Sequence, residues 1–502
     1  MLYGGSGAGK SASYVIPNAL QCLGSYEFTD PKGELYDKTA GFFKSRGYDV
    51  KVLNLVNPAN SDGYNPLFHI NNAIDVDVIA NTIVKGQDAG NKSDPYWDDM
   101  SEMLLKALIY YLKAARPREE QNLASCAEMV RAANNNEGGN LLSSMIGQLP
   151  LDHQARMYYK SIEIAPEKTY SSILSSLQSK LGKFDSREIA ELTSTDTINF
   201  NDIGEKKTAV YVISSDTHTA YNFLLTIFFS QMIQQLYDYA DKKGGALPVP
   251  TYFILDEFAN IGQIPDFDKK ISTSRSRKIS FSVILQNLDQ LEAVYEKSYE
   301  TIIGNCDTHV FLGSNSQKTV EYFSKALGEK TITRESVSVN KDREDWKQGK
   351  SESDQALGRA LLTPDEMRRL DNDLCIIYEK GIKPIKANKY YYFKYPEGKY
   401  VTKYKIDHND VEIDRGTWRK FNPYSPYEET EDGKTVDNTL ESLETLFEDD
   451  SKDERPQNDA KTDMPEPIDI SEEEEEELMD IQKELEAKFD ELFGSLDDDT
   501  TN

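Results

Sequence analysis

No segment of this 502-residue chain approaches the roughly 18 consecutive apolar residues that a membrane-crossing helix needs. The richest stretch, Phe223 to Phe229, is short and flanked by polar positions, so no spanning helix is expected inside the sequence. The opening residues carry no signal-peptide pattern. Cysteine is scarce: Cys22, Cys126, Cys306 and Cys375 stand far apart, with no C-x-x-C pair. This usage gives no zinc signature, and it fits a reducing compartment. The five histidines (His69, His153, His218, His309 and His408) show no H-E-x-x-H or related spacing. They read as packing or surface residues rather than metal ligands.

Basic charge is in deficit, and unevenly so. The formal net charge is −29, yet from Glu428 to Asn502 alone 30 acidic residues meet only 6 basic ones. Residues 1–427 keep 56 acidic and 51 basic residues, so the body is nearly balanced and its charge does not exclude nucleic acid. The length suits two to four domains and a substantial core.

Glycine is concentrated where it has most effect. Residues 4–11 read Gly4-Gly5-Ser6-Gly7-Ala8-Gly9-Lys10-Ser11, matching the phosphate-binding pattern G-x-x-x-x-G-K-[ST]. Such a loop turns backbone N–H groups toward an anion and opens into a helix whose N-terminal end favours phosphate. Lys10 is placed to reach the β- and γ-phosphates, and the Ser11 hydroxyl to sit on Mg²⁺. A glycine-rich turn before an ordinary helix is the alternative. Far downstream, Thr251-Tyr252-Phe253-Ile254-Leu255-Asp256-Glu257 is a buried-strand pattern ending in two carboxylates. The carboxyl end of a parallel strand is where open α/β sheets bind ligands. Asp256 is the expected Mg²⁺ partner, and Glu257 the group that polarises an attacking water. Loop and strand together predict a nucleoside triphosphatase using ATP and Mg²⁺.

Short strand-like segments alternate with helical patterns at Tyr26–Thr29, Asp49–Val56, Ala209–Ser215, Tyr252–Asp256, Ile279–Gln286, His309–Gly313 and Leu374–Tyr378. This alternation predicts an α/β fold with a mainly parallel sheet covered on both faces. Between Asn72 and Leu192 no convincing strand occurs. Met100, Met103, Leu104, Leu108 and Leu112, then Ile173, Leu174, Leu177 and Leu181, fall at helical spacing. The expected organisation is a nucleotide-binding domain from residues 1–71 and 193–400, with an all-α domain, 72–192, inserted into it. Residues 401–427 are expected as a linker and 428–502 as a disordered acidic tail. Asn340 to Gln355, almost without apolar residues, reads as a mobile surface loop, and Tyr390–Phe393 as the start of an edge strand or hairpin. Within the tail, residues 471–496 place Leu478, Ile481, Leu485, Phe489, Leu492 and Phe493 on one helical face behind six glutamates. This segment is either a solubilising tail or a helix that folds on a partner. Only Met1-Leu2-Tyr3 precede the loop, where a full strand is expected, so further natural sequence is expected upstream through truncation or a misassigned start.

Taken in order, these motifs resemble the type IV secretion coupling proteins, the DNA-transfer ATPases of bacterial conjugation. Lys10-Ser11 is followed by Val15-Ile16-Pro17-Asn18, then by Thr29-Asp30-Pro31-Lys32-Gly33-Glu34-Leu35 and Tyr64-Asn65-Pro66-Leu67. Tyr96-Trp97, Leu255-Asp256-Glu257-Phe258-Ala259-Asn260-Ile261-Gly262, Thr273-Ser274-Arg275-Ser276-Arg277, Gln286 and Leu361-Leu362-Thr363-Pro364-Asp365-Glu366 complete the set. The resemblance runs from Leu2 to about Lys389 and leaves the tail outside. It implies a RecA-like P-loop core that assembles as a homo-hexamer at the cytoplasmic face of the plasma membrane. Such a motor receives single-stranded DNA with its attached relaxase and passes both to type IV secretion channel components. Family members carry N-terminal transmembrane helices, so membrane attachment is expected through a segment missing from this chain.

The resemblance places Arg275 as an arginine finger reaching a neighbouring subunit's γ-phosphate. Arg277 is its near rival, and either arginine could instead line a DNA channel. Gln286 is either a γ-phosphate sensor or a polar strand end. Lys269, Lys270, Arg275, Arg277 and Lys278 form the densest basic stretch of the core, either a DNA-backbone contact or a solvated face. Asp30 and Lys32 border the expected nucleotide site without an assigned role. Two other functions stay open: a docking receptor whose nucleotide site gates recruitment, and a septal-type double-strand DNA translocase.

Overall fold

The computed structural model describes residues 1–86, 94–134, 140–215, 220–340 and 349–422. Its core is a nine-stranded sheet built from β1 (Leu2–Tyr3), β2 (Ser25–Asp30), β3 (Asp49–Asn54), β4 (Thr208–Ile213), β5 (Thr251–Leu255), β6 (Ile279–Leu285) and β7 (Thr308–Phe311). After a separate hairpin, β8 (Glu329–Asn340) and β9 (Gly349–Ala360), the sheet is completed by β10 (Leu374–Glu379) and β11 (Ile385–Asn388). The strand order is β11-β10-β7-β1-β6-β5-β2-β4-β3. Pairing is parallel from β7 through to β3, and antiparallel where β10 meets β7 and β11 meets β10. The seven strand segments read from the sequence each coincide with a strand of this sheet.

Helices cover both faces, and β4 is apolar from Ala209 to Ile213, whereas β2 buries Ser25, Glu27, Thr29 and Asp30 beside Tyr26 and Phe28. Every residue of β2 and β4 is buried. On one face Tyr26 stacks between Phe28 and Tyr252, and Phe28 stacks on Tyr211, with Phe43 of the helix Glu34–Ser45 tilted against Tyr26. On the other face lies the helix Asn222–Lys242, buried around most of its circumference, as a helix wedged between two layers must be.

Between β3 and β4 the described residues are helical, with no strand. Helix Ala73–Lys85 starts with a reciprocal capping box, in which the Asn72 side chain accepts from the amide of Asp75 and Asp75 answers at the amide of Asn72. Helix Pro95–Ala115 buries Leu104, Leu108 and Leu112 and packs on Ala73–Lys85, Gln154–Glu163 and Glu167–Leu181. Helix Glu167–Leu181 contributes Ile173, Leu174, Leu177 and Leu181. These side chains share one continuous apolar core with the sheet face made by Val210, Val212, Phe253 and Leu255. The helical region is therefore joined to the sheet by packing as well as by chain. No helix among the described residues is long and apolar enough to cross a membrane.

Three expectations need correction. The segment expected as a loop from Asn340 to Gln355 includes a strand, since β9 begins at Gly349 and pairs antiparallel with β8 from Asn340↔Gly349 onward. The edge strand expected at Tyr390–Phe393 is instead Ile385–Asn388, and Tyr392–Lys394 forms a single tight turn. Residues 401–422, expected as a linker, run back along the body as a strap. The Asp37 carboxylate accepts from the amide and ring of His408, and Arg415 donates to the carbonyl of Ser61 at 2.7 Å. Asn122 donates to the carbonyl of Arg419 at 2.9 Å, and Phe421 is buried, with its amide on the Ser125 hydroxyl. The tail, with the helix expected at 471–496, lies outside the described residues.

Candidate active site

The carboxyl ends of β1, β2, β5 and β6 open into one cleft of about 430 Å³, a volume within the about 300–1,000 Å³ common for small-molecule sites. It is lined by Gly5 to Ser11, by Asp30 and Lys32, by Asp256, Glu257 and Gln286, and by Tyr392 and Phe393. Strand β1 sits between β6 and β7 and so fixes where the loop starts. The Gly4 amide donates to the Leu285 carbonyl at 3.0 Å, and the Gly5 amide to the Gly313 carbonyl at 2.9 Å. Gly7 and Gly9 adopt φ of +76° and +80°, a region that glycine enters without strain. Gly4 has a second reason to be glycine, because a Cβ there meets Lys10 Cγ at 3.0 Å. The Lys10 ammonium arches over the loop and donates to the Gly4 carbonyl at 3.0 Å.

Asp256 follows β5 directly. Its Oδ2 accepts from the Ser11 hydroxyl at 3.4 Å and its Oδ1 from the Glu257 amide at 3.0 Å. Residues 245 positions apart in sequence therefore meet, as the motif pairing requires. Burial pushes the Asp256 carboxyl above its ordinary range, against the opposing pull of the Lys10 ammonium. The Asp256 carbonyl is held by the Thr29 hydroxyl at the end of β2, at 2.6 Å. A hydroxyl and a carboxylate offer hard oxygen donors, chemistry that fits a divalent cation such as Mg²⁺.

Glu257 is one of four non-glycine residues with positive φ among the described residues, at φ 52° and ψ 46°. Backbone strain of this kind survives where neighbours fix it, and it turns the side chain out of the strand direction. Here the neighbours are two amides: Gln286 donates to Glu257 Oε1 at 3.0 Å and Asn260 to Oε2 at 3.1 Å. The structure thus brings Lys10, Ser11, Asp256, Glu257 and Gln286 into one cleft.

Arg275 is not among them. It lies in the turn before β6, whose seven residues separate it from Gln286 by about 23 Å at the ordinary strand rise. Its side chain is 95% exposed, 4.0 Å from Asp307. Arg277 is committed locally, with two bonds of 3.0 Å to the Asp241 carboxylate and its guanidinium over the Tyr237 ring. The basic stretch divides in the same way. Lys269 pairs with Asp266, and desolvation holds the half-buried Lys270 ammonium below its ordinary range.

Several contributors carried no assigned role. Asp30 is buried and accepts from the Tyr36 amide at 2.8 Å, anchoring the start of helix Glu34–Ser45, while burial pushes its carboxyl up to about 6. Asn260 and Thr29 lie in the quoted motifs without a role. Lys389 was not singled out at all: buried, it donates to the carbonyls of Ala8 at 2.9 Å and Leu312 at 2.8 Å, fastening β11 to the loop. Of the described histidines, three serve packing or a helix start. His69 bonds Asp196 and stacks on Phe200, His153 caps the helix Gln154–Glu163, and burial drives His309 down to about 4.

The sequence model described as "Type IV secretory system Conjugative DNA transfer" matches residues 1–413. The chain is 24% identical over 407 residues to the protein VirD4 of Rhizobium rhizogenes, covering 77% of this chain and 57% of that protein. It is 26% identical over 433 residues to the conjugal transfer protein TraG of Escherichia coli, covering 79% of this chain and 67% of that one. The chain thus spans little more than half the length of the VirD4 relative. Among solved structures it is similar to the unbound bacterial conjugative coupling protein TrwBΔN70, with TM-score 0.56, 17% identity, and coverage of 77% of this chain and 83% of that one. It is also similar to the plasmid coupling protein TrwB in complex with ADP and Mg²⁺, with TM-score 0.55, 18% identity, and coverage of 78% and 84%. The RecA-like α/β fold expected from the sequence is the fold shared with these structures.

Proposed function

The chain belongs to the type IV secretory system conjugative DNA-transfer family, and on that premise we propose that it is an ATP-hydrolysing coupling protein. It receives single-stranded DNA with an attached relaxase and delivers it to a type IV secretion channel at the cytoplasmic face of the plasma membrane. The observation that carries this reading is the meeting of Ser11 and Asp256 beside Lys10 in one cleft. In this reading the backbone amides of Gly5 to Ser11 cradle the phosphates, and Lys10 turns from the Gly4 carbonyl to the β- and γ-phosphates. Ser11 and Asp256 would hold Mg²⁺, which would supply charge neutralisation to the transferred phosphoryl group. Glu257, steadied by Gln286 and Asn260, orients and polarises the attacking water. Loss of the γ-phosphate changes what Glu257 and Gln286 face, which makes the pair a sensor of nucleotide state.

Arg275 acts on a neighbouring subunit of a homo-hexamer. Its exposure and its place at the amino end of β6 support a role outside its own cleft. Residues 1–71 and 193–400 form the motor domain, and 72–192 an inserted all-α domain that faces the substrate complex. The test is ATP turnover by the full chain with and without single-stranded DNA. The expected result is that DNA stimulates the wild type, while Arg275→Ala loses the stimulation and still binds ATP. A wild type indifferent to DNA at every concentration removes the motor reading and favours a nucleotide-gated docking receptor.

A further inference from the structure

Tyr392 and Phe393 stand in the wall of the cleft, and the phosphate chemistry above uses neither. We infer that the Phe393 ring is the platform on which the nucleobase stacks, with Tyr392 edge-on beside it, an inference that rests on reading the cleft as a nucleoside triphosphate site.

The lining sorts a ligand by chemistry. Lys10, Ser11, Asp256, Glu257 and Gln286 suit a phosphate chain with its cation, and the two rings offer flat apolar surface to something else on the same molecule. Phe393 lines the cleft yet is 61% exposed, so a face is open for a planar group to cover. Its orientation is set by neighbours. It stacks on Tyr391 at 5.3 Å between ring centroids and meets Tyr392 edge-on at 5.4 Å.

The rings are also fastened to the phosphate loop. The turn Tyr392–Lys394 packs on Ser11–Val15, directly after the loop. Tyr391 lies so close to Gly9 that a Cβ there meets its Cε1 at 3.1 Å, and its hydroxyl donates to the Asn372 carbonyl. Just before it in the chain, Lys389 bonds the Ala8 and Leu312 carbonyls. Loop and rings therefore keep a fixed separation, as a site for a phosphate chain joined to a base requires. Stacking accepts any base with a π-face, so the ligand class is a nucleoside triphosphate, with adenine and guanine nearly equivalent.

The test is calorimetric titration of the full chain with ATP, GTP and inorganic tripolyphosphate, for wild type, Phe393→Ala and Phe393→Trp. The expected result is that Phe393→Ala weakens ATP and GTP about tenfold, keeps tripolyphosphate within about twofold, and that Phe393→Trp restores both nucleotides. Wild-type ATP affinity in Phe393→Ala overturns the inference, as does a parallel loss of tripolyphosphate, which marks a merely structural ring. A wild type that binds none of the three ligands overturns the nucleotide-site reading itself, and this inference with it.

Discussion

One wall of the cleft comes from the first eleven residues and the end of β5, and another from Tyr392 and Phe393, with Lys389 just before them fastened to the loop. In the first wall the chemistry is local. Positive φ at Gly7 and Gly9, an ammonium next in sequence, and adjacent carboxylates at a strand end are dictated by residue type at fixed spacing. In the second wall nothing local marks the function. Lys389 is an anchor only because β11 pairs antiparallel to β10 and ends beside Ala8 and Leu312. The difference separates residues chosen for reactivity from residues chosen for place.

The comparison breaks if the first wall tolerates a substitution of like shape. Glu257→Gln keeps the volume and one acceptor but removes the base. It is expected to lower ATP turnover about 10²- to 10⁴-fold while ATP binding persists. Steady-state hydrolysis beside equilibrium binding checks this, and near-normal turnover would move the base elsewhere. The second wall is expected to respond through stability and affinity. Lys389→Met leaves the Ala8 and Leu312 carbonyls without their donor, at about 1–3 kcal/mol for each buried group left unpaired. Denaturant midpoints should fall, and ATP and tripolyphosphate should weaken together because the loop itself loosens. That parallel loss separates the anchor from the stacking ring at Phe393. Unchanged midpoints and unchanged tripolyphosphate affinity would show that the loop keeps its shape without the Lys389 anchor.

The same contrast explains what could be read in advance. Strand β4 is legible because burial on both faces forces a continuous apolar run from Ala209 to Ile213. The β8–β9 hairpin is not, because Gly349 to Gln355 carries no apolar residue to betray a strand. The four-residue β11 is too short for periodicity to mark it. Within the site, Lys10, Ser11, Asp256 and Glu257 follow from motif chemistry. Asn260 and Thr29 gain their meaning from partners brought together by the fold. The basic stretch shows the converse: sequence counts its five charges, and the fold pairs two of them with Asp241 and Asp266.

Nucleotide hydrolysis in this cleft depends most directly on the joint hold of Ser11 and Asp256 on a cation beside bound nucleotide. The measurement is ATP affinity with and without Mg²⁺ for wild type and Asp256→Asn. Wild type is expected to gain affinity when Mg²⁺ is added, and Asp256→Asn to lose that gain while keeping its Mg²⁺-free affinity. An Asp256→Asn chain with the full Mg²⁺ response would contradict the account.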